Sequence, residues 1–393
     1  MGGQWPATVV VVEPFAHLRV GHFPSSFAEL ADGFAEAGVH VEVLTTSGWA
    51  FDDGEMARWL IHRYGLLAST AEKTLARITR NRVRRQRKRH RLGLMGTALL
   101  AQQALRVARR SPAQPAAVLF TGGGHDTAVL SMMAGHRPFI AHQFDPAASR
   151  ANHILSRVTQ QLREFLRRPP PKLTLVVPDR LWIPRVRALH PGIPAVRLLL
   201  AGSRQVENNR EEARGLLGIE SGSRVALLFG CGHGAQDPET AFSAFRNRPD
   251  WLLIIAGQLA RRFDESTIEK WPTRPLVMGG FIEPPVRDAR YQACDVAVLP
   301  FVPDYRRMSG TLLDAVSHGT AVVVSDRSLA SEQVEEWGMG EVFRAGSAES
   351  LSAALNRIDL NASHLAAVAA RDRVDNKSVA IQHLDVFAQM GCA

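Results

Sequence analysis

Short runs of β-branched residues alternate with helix-length segments twice along this chain, and that rhythm limits the folds open to it. Parallel strands covered on both faces read as near-continuous apolar runs, and each needs a crossover helix to reach the next. The first series opens with a strand at Val9–Glu13. A helix follows over about 24–37, with Phe27, Leu30, Ala31 and Phe34 at helical spacing and Gly38 at its end. Further strands are expected at Val39–Thr45, Ala117–Phe120, Phe139–His142, Leu173–Val177 and Val196–Leu200, with a basic, mostly helical insertion over about 55–110. The second series places strands at Val225–Phe229, Trp251–Ala256, Leu276–Met278, Val296–Leu299 and Ala321–Ser325, separated by helices. The polar stretch Gly202–Glu212 reads as the linker between the series. The expected fold is α/β: two doubly wound Rossmann-like domains facing a cleft, spanning 1–203 and 204–375, with a last helix in 376–393 packing back on the first domain.

Several classes are disfavoured at once. Cys231, Cys294 and Cys392 are odd in number and far apart, which argues against a disulfide framework and for a reducing compartment. The apolar run at the N-terminus ends at Glu13, too short for a signal peptide. No window offers about 18 uninterrupted apolar residues, as a membrane-spanning helix requires. No H-E-x-x-H, paired C-x-x-C or calcium-loop pattern occurs, so no metal is expected.

The densest chemical signal lies in about 276–343. "CDVAVLP" begins at Cys294, and "SGTLLDAVSHGTAVVVSD" runs from Ser309 to Asp326. Ser309 is a good N-cap, and Gly310 and Thr311 then open a helix. Unpaired N–H groups at such a start, together with the helix dipole, favour a diphosphate, and a glycine there lets it approach the backbone. Asp314 follows one turn later. The glycine cluster "GCGHGAQD", Gly230 to Asp237, follows the first strand of the second series. Glycines in such a place also serve ordinary strand-to-helix turns.

This segment resembles the donor half of GT-B glycosyltransferases, particularly the large retaining group known as family 4, or glycosyl transferases group 1. Asp295, Pro300, Gly310, Thr311, Asp314, Ala315, Gly319 and Asp326 stand in the matching order. The resemblance implies a nucleotide-sugar co-substrate of the UDP or GDP type and no tightly bound cofactor. It implies donor contacts from Gly230, Gly232, His233, Gly280, Phe281, Ser309, Gly310, Thr311 and Asp314. Asp314 would hold the ribose, and Gly280 and Phe281 would face the base.

The chain departs from that pattern in two places. The acidic residue expected eight positions before Asp314 is Arg306. The Arg and Lys expected after the first strand of the donor domain are replaced by Cys231, Gly232, His233 and Gln236. A departing diphosphate still needs a cation. Arg306, Arg307, Arg261 and Arg262 are the candidates.

In the first half, Gly21 and His22 lie in a loop suited to an acceptor or a phosphate. His142 with Asp145, or alternatively His125 with Asp126, are candidate catalytic pairs at strand ends. The stretch Arg80–Arg91 carries Arg80, Arg82, Arg84, Arg85, Arg87, Lys88, Arg89 and Arg91, which supply +8 of a formal net charge of +9. No nucleic-acid-reading module surrounds it, so no nucleic acid is expected as partner. An anionic membrane surface fits it better, with the apolar run Leu92–Leu100 dipping into the interface.

The leading expectation is a retaining, metal-independent glycosyltransferase of the cytoplasm, peripheral on the inner face of the membrane. It would act on a lipid-linked or cell-envelope glycan. A sugar-nucleotide epimerase of the same architecture, and a catalytically silent GT-B protein binding a partner or polyanion, are the alternatives.

Overall fold

The computed structural model describes residues 4–13, 23–46, 60–64, 93–121, 127–134, 137–143, 157–158, 160–161, 164, 170–202, 209–230, 234–257, 271–280 and 282–391. The chain divides into two compact units, one of Met1–Ala201 with Asn376–Ala393 and one of Gly202–Asp375.

The first unit runs β1 (Thr8–Glu13), α1 (Phe23–Glu36), β2 (His40–Thr46), β3 (Leu60–Tyr64), α2 (Gly93–Arg110), β4 (Ala116–Phe120), α3 (Thr127–Met133), β5 (Phe139–His142), β6 (Leu173–Val177), α4 (Trp182–Leu189) and β7 (Ala195–Arg197). Its strands form one seven-stranded sheet in the order β3-β2-β1-β4-β5-β6-β7. Every neighbouring pair in it is parallel. The valines of β1 alternate between faces. Val9 and Val11 pack with Phe27, Leu30 and Phe34 of α1. Val10 and Val12 pack with Leu100, Ala101, Ala104 and Ala108 of α2. Burying each such valine contributes about 1.5 kcal/mol or more.

The insertion expected to be mostly helical over 55–110 instead contains strand β3, paired with β2 through Val43 and Ile61. "LIHRY" has too few apolar residues to read as a strand alone; its pairing with β2 makes it one. The expectation that Leu92–Leu100 enters a membrane interface is corrected at its C-terminal end, since Leu100 lies in the core under the sheet. The basic stretch Arg80–Arg91 lies outside the described residues.

The second unit runs α5 (Arg210–Leu217), β8 (Arg224–Phe229), α6 (Pro238–Phe245), β9 (Trp251–Gly257), β10 (Leu276–Gly279), α7 (Pro284–Ala293), β11 (Val296–Leu299), α8 (Gly310–His318), β12 (Ala321–Ser325), α9 (Leu329–Trp337), β13 (Gly340–Phe343), α10 (Ala348–Arg357) and α11 (Leu360–Val374). Its parallel six-stranded sheet has the order β10-β9-β8-β11-β12-β13. Side-chain caps start most of its helices: Asn209, Asp237, Ser309, Ser328, Ser347 and Asp359 each accept a hydrogen bond from a backbone N–H two or three residues into the helix. The polar stretch read as a linker therefore ends in structure, because α5 begins at Arg210.

Helix α12 (Asn376–Gln389) belongs to the first unit. Its Val379, Ala380, Leu384 and Phe387 complete the core against α1. Gly33 allows this packing, since a Cβ there would collide with the Asn376 carbonyl.

Candidate functional site

In each sheet the strand order reverses at one point: between β1 and β4 in the first unit, and between β8 and β11 in the second. Ligands of doubly wound sheets bind beyond the carboxyl ends of the strands at such a point.

In the second unit, β8 runs into Gly230, which adopts a left-handed φ of 73° and donates its N–H to the Ala256 carbonyl at 2.8 Å. A side chain at this φ is strained, so the turn favours glycine. The loops after β8 and β11 are laced together. Asp237 N–H donates to the Pro300 carbonyl at 2.6 Å, and Val302 N–H to the Ala235 carbonyl at 2.9 Å. Gln236 bridges Phe301, and Phe301 stacks on Tyr305 at 4.6 Å. Gly280, at φ 99°, ends the edge strand β10. Gly232, His233, Phe281, Arg261 and Arg262 lie outside the described residues.

Helix α8 opens beside this loop pair. The buried Ser309 hydroxyl accepts from Leu312 N–H at 3.1 Å and lies 2.8 Å from the Thr311 hydroxyl. This leaves the first-turn N–H groups of Gly310 and Thr311 without intrahelical partners. Asp314 is buried, 3.6 Å from Nη1 of Arg287 on α7. Arg287 donates from Nε and Nη2 to Oδ1 of Asp288 at 3.0 and 2.9 Å. That same oxygen lies 3.3 Å from Nε2 of His318, a fully buried residue at the end of α8. Nδ1 of His318 donates to the Asp314 carbonyl at 2.7 Å, and the Tyr291 ring stacks on the imidazole at 5.2 Å.

The charges in this cluster support one another. Burial opposes the Arg287 charge, but Asp314 and Asp288 outweigh it and raise its pKa above the ordinary value. Burial would likewise raise the Asp288 carboxyl, but His318 and Arg287 hold it below its usual range. Burial pushes the Tyr291 phenol well up, and the nearby Asp314 charge adds to the shift.

Arg306, the first of the proposed diphosphate cations, forks onto Glu332 of α9 at 2.6 and 3.1 Å. Its neighbour Arg307 is exposed, and its charge acts on the half-buried Tyr305. Asp295, part of the motif that carried the resemblance, is a brace: its carboxylate binds Arg210, Arg214 and the Val225 N–H.

At the switch point of the first unit, Glu13 ends β1 buried, and its Oε2 accepts from the Thr121 hydroxyl at 2.8 Å. Gln143 follows β5 and donates to the Thr127 hydroxyl at 2.8 Å. His142 is buried, with Nε2 2.9 Å from Nε2 of His383 on α12. Nδ1 of His383 bonds the Val379 carbonyl at 2.8 Å, so His383 is the acceptor and His142 the donor in this pair. Burial drives the His383 pKa down to about 4 despite that carbonyl. Of the two candidate catalytic pairs, only His142 falls within the described residues. Asp145, His125, Asp126, Gly21 and His22 lie outside them.

The structure thus gathers Ser309, Gly310, Thr311 and Asp314 on one helix start and commits Arg306 elsewhere. It also reveals residues that motif reading passed over, namely Arg287, Asp288 and His318 behind Asp314, and Glu13 and His383 in the first unit. "PPVRDARYQA" reads as an ordinary amphipathic helix. Its one anomaly is two arginines, Arg287 and Arg290, on a helix that packs against a sheet.

Residues 238–359 match the family model described as Glycosyl transferases group 1. This segment is a glycosyltransferase domain. It holds α6, Asp314 and the whole charge cluster. No curated protein sequence matches the chain. Among solved structures, the glycosyltransferase domain and the first unit together resemble sucrose-phosphate synthase from Thermosynechococcus elongatus, with a TM-score of 0.66 at 14% identity over 97% of this chain and 98% of that one. WaaG, a glycosyltransferase involved in lipopolysaccharide biosynthesis, aligns with a TM-score of 0.59 at 17% identity over 96% and 99% of the two chains. Anabaena HepE, solved with UDP and glucose, aligns at 0.56 and 14% identity over 97% of each chain. At these identities the likeness establishes the fold, which is GT-B.

Proposed function

We propose that this chain transfers a sugar from a nucleotide-sugar donor to an acceptor hydroxyl, with retention of configuration and without a metal ion. The observation that carries the reading is the capped start of α8 with Asp314 one turn in, lying inside the matched glycosyltransferase segment at the switch point of its sheet. The diphosphate binds the N–H groups of Gly310 and Thr311, with Gly230, Gly232 and His233 as further candidate contacts. The ribose hydroxyls bind Asp314, and the base lies at Gly280 and Phe281. Arg306 is held by Glu332, and Arg307 in the same loop is a further candidate to neutralise the leaving group. UDP is the favoured nucleotide, because HepE was solved with it.

The first unit binds the acceptor. His142 with Asp145, or His125 with Asp126, is the candidate catalytic pair, and Gly21 and His22 are candidate acceptor or phosphate contacts. A lipid-linked or envelope glycan suits the basic segment Arg80–Arg91, which would hold the enzyme to the inner face of the membrane; an anionic leaflet contributes roughly 1 kcal/mol per nearby Arg or Lys. Among the described residues no helix is long and apolar enough to cross a membrane.

The test is UDP release from a panel of UDP-sugars, with and without lipid and glycan extracts. Acceptor-dependent release is expected, and Asp314→Ala should weaken UDP binding about tenfold to a hundredfold, as removal of a charge-assisted acceptor does. Interconversion of UDP-sugars without acceptor would instead indicate an epimerase. No nucleotide binding by the intact chain would indicate a silent GT-B protein.

A further inference from the structure

We propose that Arg287 is a positioning residue for the donor nucleotide: with Asp288 and His318 it holds the Asp314 carboxylate in the orientation that selects a ribose bearing both hydroxyls. The inference rests on the reading of Asp314 as the ribose contact.

The contacts close into a ring across two helices. The Asp314 side chain meets Arg287, Arg287 meets Asp288, Asp288 lies 3.3 Å from Nε2 of His318, an ion pair when the imidazole is protonated, and His318 returns to the Asp314 carbonyl. Two members lie on α7 and two on α8, so the ring ties the carboxylate to a neighbouring helix as well as to its own backbone. Both Arg287 donors toward Asp288 converge on a single oxygen, which leaves Nη1 turned to Asp314. Tyr291 stacks under the imidazole and donates its hydroxyl to the Thr311 carbonyl at 3.4 Å, so the same helix α7 also touches the phosphate end of α8.

Joining two helices does not need such a ring. An apolar contact of similar volume does so without the desolvation of four ionisable groups, whose side chains here are no more than 19% exposed. What an apolar contact cannot do is fix the rotation of a carboxylate, and a bidentate contact to vicinal hydroxyls depends on that rotation. Arg287 supplies a fork that a point charge does not.

The experiment compares binding of UDP, 2′-deoxy-UDP and 3′-deoxy-UDP by calorimetry to the intact wild-type chain and to Arg287→Met, Arg287→Lys, Asp288→Asn and Asp314→Ala. The wild type should prefer UDP over each deoxy analogue by about tenfold or more, the scale of one hydrogen bond to a charged group. In Arg287→Met that preference should fall to within about twofold, with UDP itself bound more weakly. Arg287→Lys and Asp288→Asn should lie between. A purely structural role would weaken all three ligands equally and leave the ratios intact; that result, in Arg287→Met or, should that variant not fold, in Arg287→Lys and Asp288→Asn, overturns the proposal. If Asp314→Ala keeps the wild-type preference, the ribose reading itself fails. If Asp314→Ala loses the preference while the Arg287 variants keep it, only the role of Arg287 fails.

Discussion

Replacing Asp295 with alanine should weaken the second unit by about 3–5 kcal/mol, the range for removing one partner of a buried ion pair. Oδ2 of Asp295 accepts from the Val225 N–H at 2.7 Å and from Nη2 of Arg214 at 3.1 Å, and Oδ1 binds Arg210. The Arg214 side chain is only 3% exposed, and its remaining described bond runs from Nε to the Ala293 carbonyl at 3.0 Å. Loss of the carboxylate therefore strands a buried guanidinium and the first paired N–H region of β8 together. Asp295→Asn keeps one acceptor oxygen and loses the charge, so it should cost less, roughly 2 kcal/mol. Because the chain has two units, a single unfolding midpoint would mix them. Hydrogen exchange resolved by peptide separates them: in Asp295→Ala, amides of β8, β9 and β11 should exchange about 150-fold faster or more, as 3 kcal/mol requires. Peptides of α1 and α12 in the first unit serve as the unchanged reference. Equal, small effects of alanine and asparagine, below about 1 kcal/mol, would show that Asp295 behaves as a surface charge, and the brace would be refuted.

Two further outcomes are open to measurement. His383 is depressed to about 4 in the folded chain, so between its ordinary value near 6.5 and that point the unfolded chain binds the extra proton; the stability it supports is present above pH 6.5 and is lost as pH falls, by about 3 kcal/mol at pH 4. Thermal melts at pH 7, 5.5 and 4 should show a shallower decline in His383→Gln than in the wild type, and parallel declines would contradict the assignment. Ser309→Ala should remove a cap of about 1 kcal/mol and weaken UDP binding as well. Ser347→Ala, which removes the corresponding cap of α10, should cost similar stability and leave UDP binding unchanged.

The second unit was legible because each of its signals acts locally. Its central strands β8, β9, β11 and β12 are largely buried and so read as apolar runs, and most of its helices carry side-chain caps at their starts. Strand β13 escaped notice for the opposite reason. "GEVF" is short and half-exposed, and it exists only because Gly340 lets its backbone lie against the Val322 carbonyl of β12. Strand β3 likewise depends on its partner. The charge ring behind Asp314 was illegible because its contacting members are separated by 27 and 30 positions across two helices, and only the packing of α7 on α8 makes them neighbours. The same holds for His142 and His383, 241 residues apart, which no local pattern could pair.

The arginine at 306 gains a physical reading from this geometry. A carboxylate there would face Glu332 on α9, and like charges at such a distance repel. Arg306 meets Glu332 in a fork, so the two positions form a matched pair; the sign at 306 follows from what α9 presents. The pairing also changes what the site can offer a diphosphate. A cation already joined to a carboxylate contributes little net field, whereas the start of α8 carries roughly half a positive charge. If UDP is the leaving group, that helix start then meets more of its charge than Arg306 does, with Asp314 one turn further in beside the ribose.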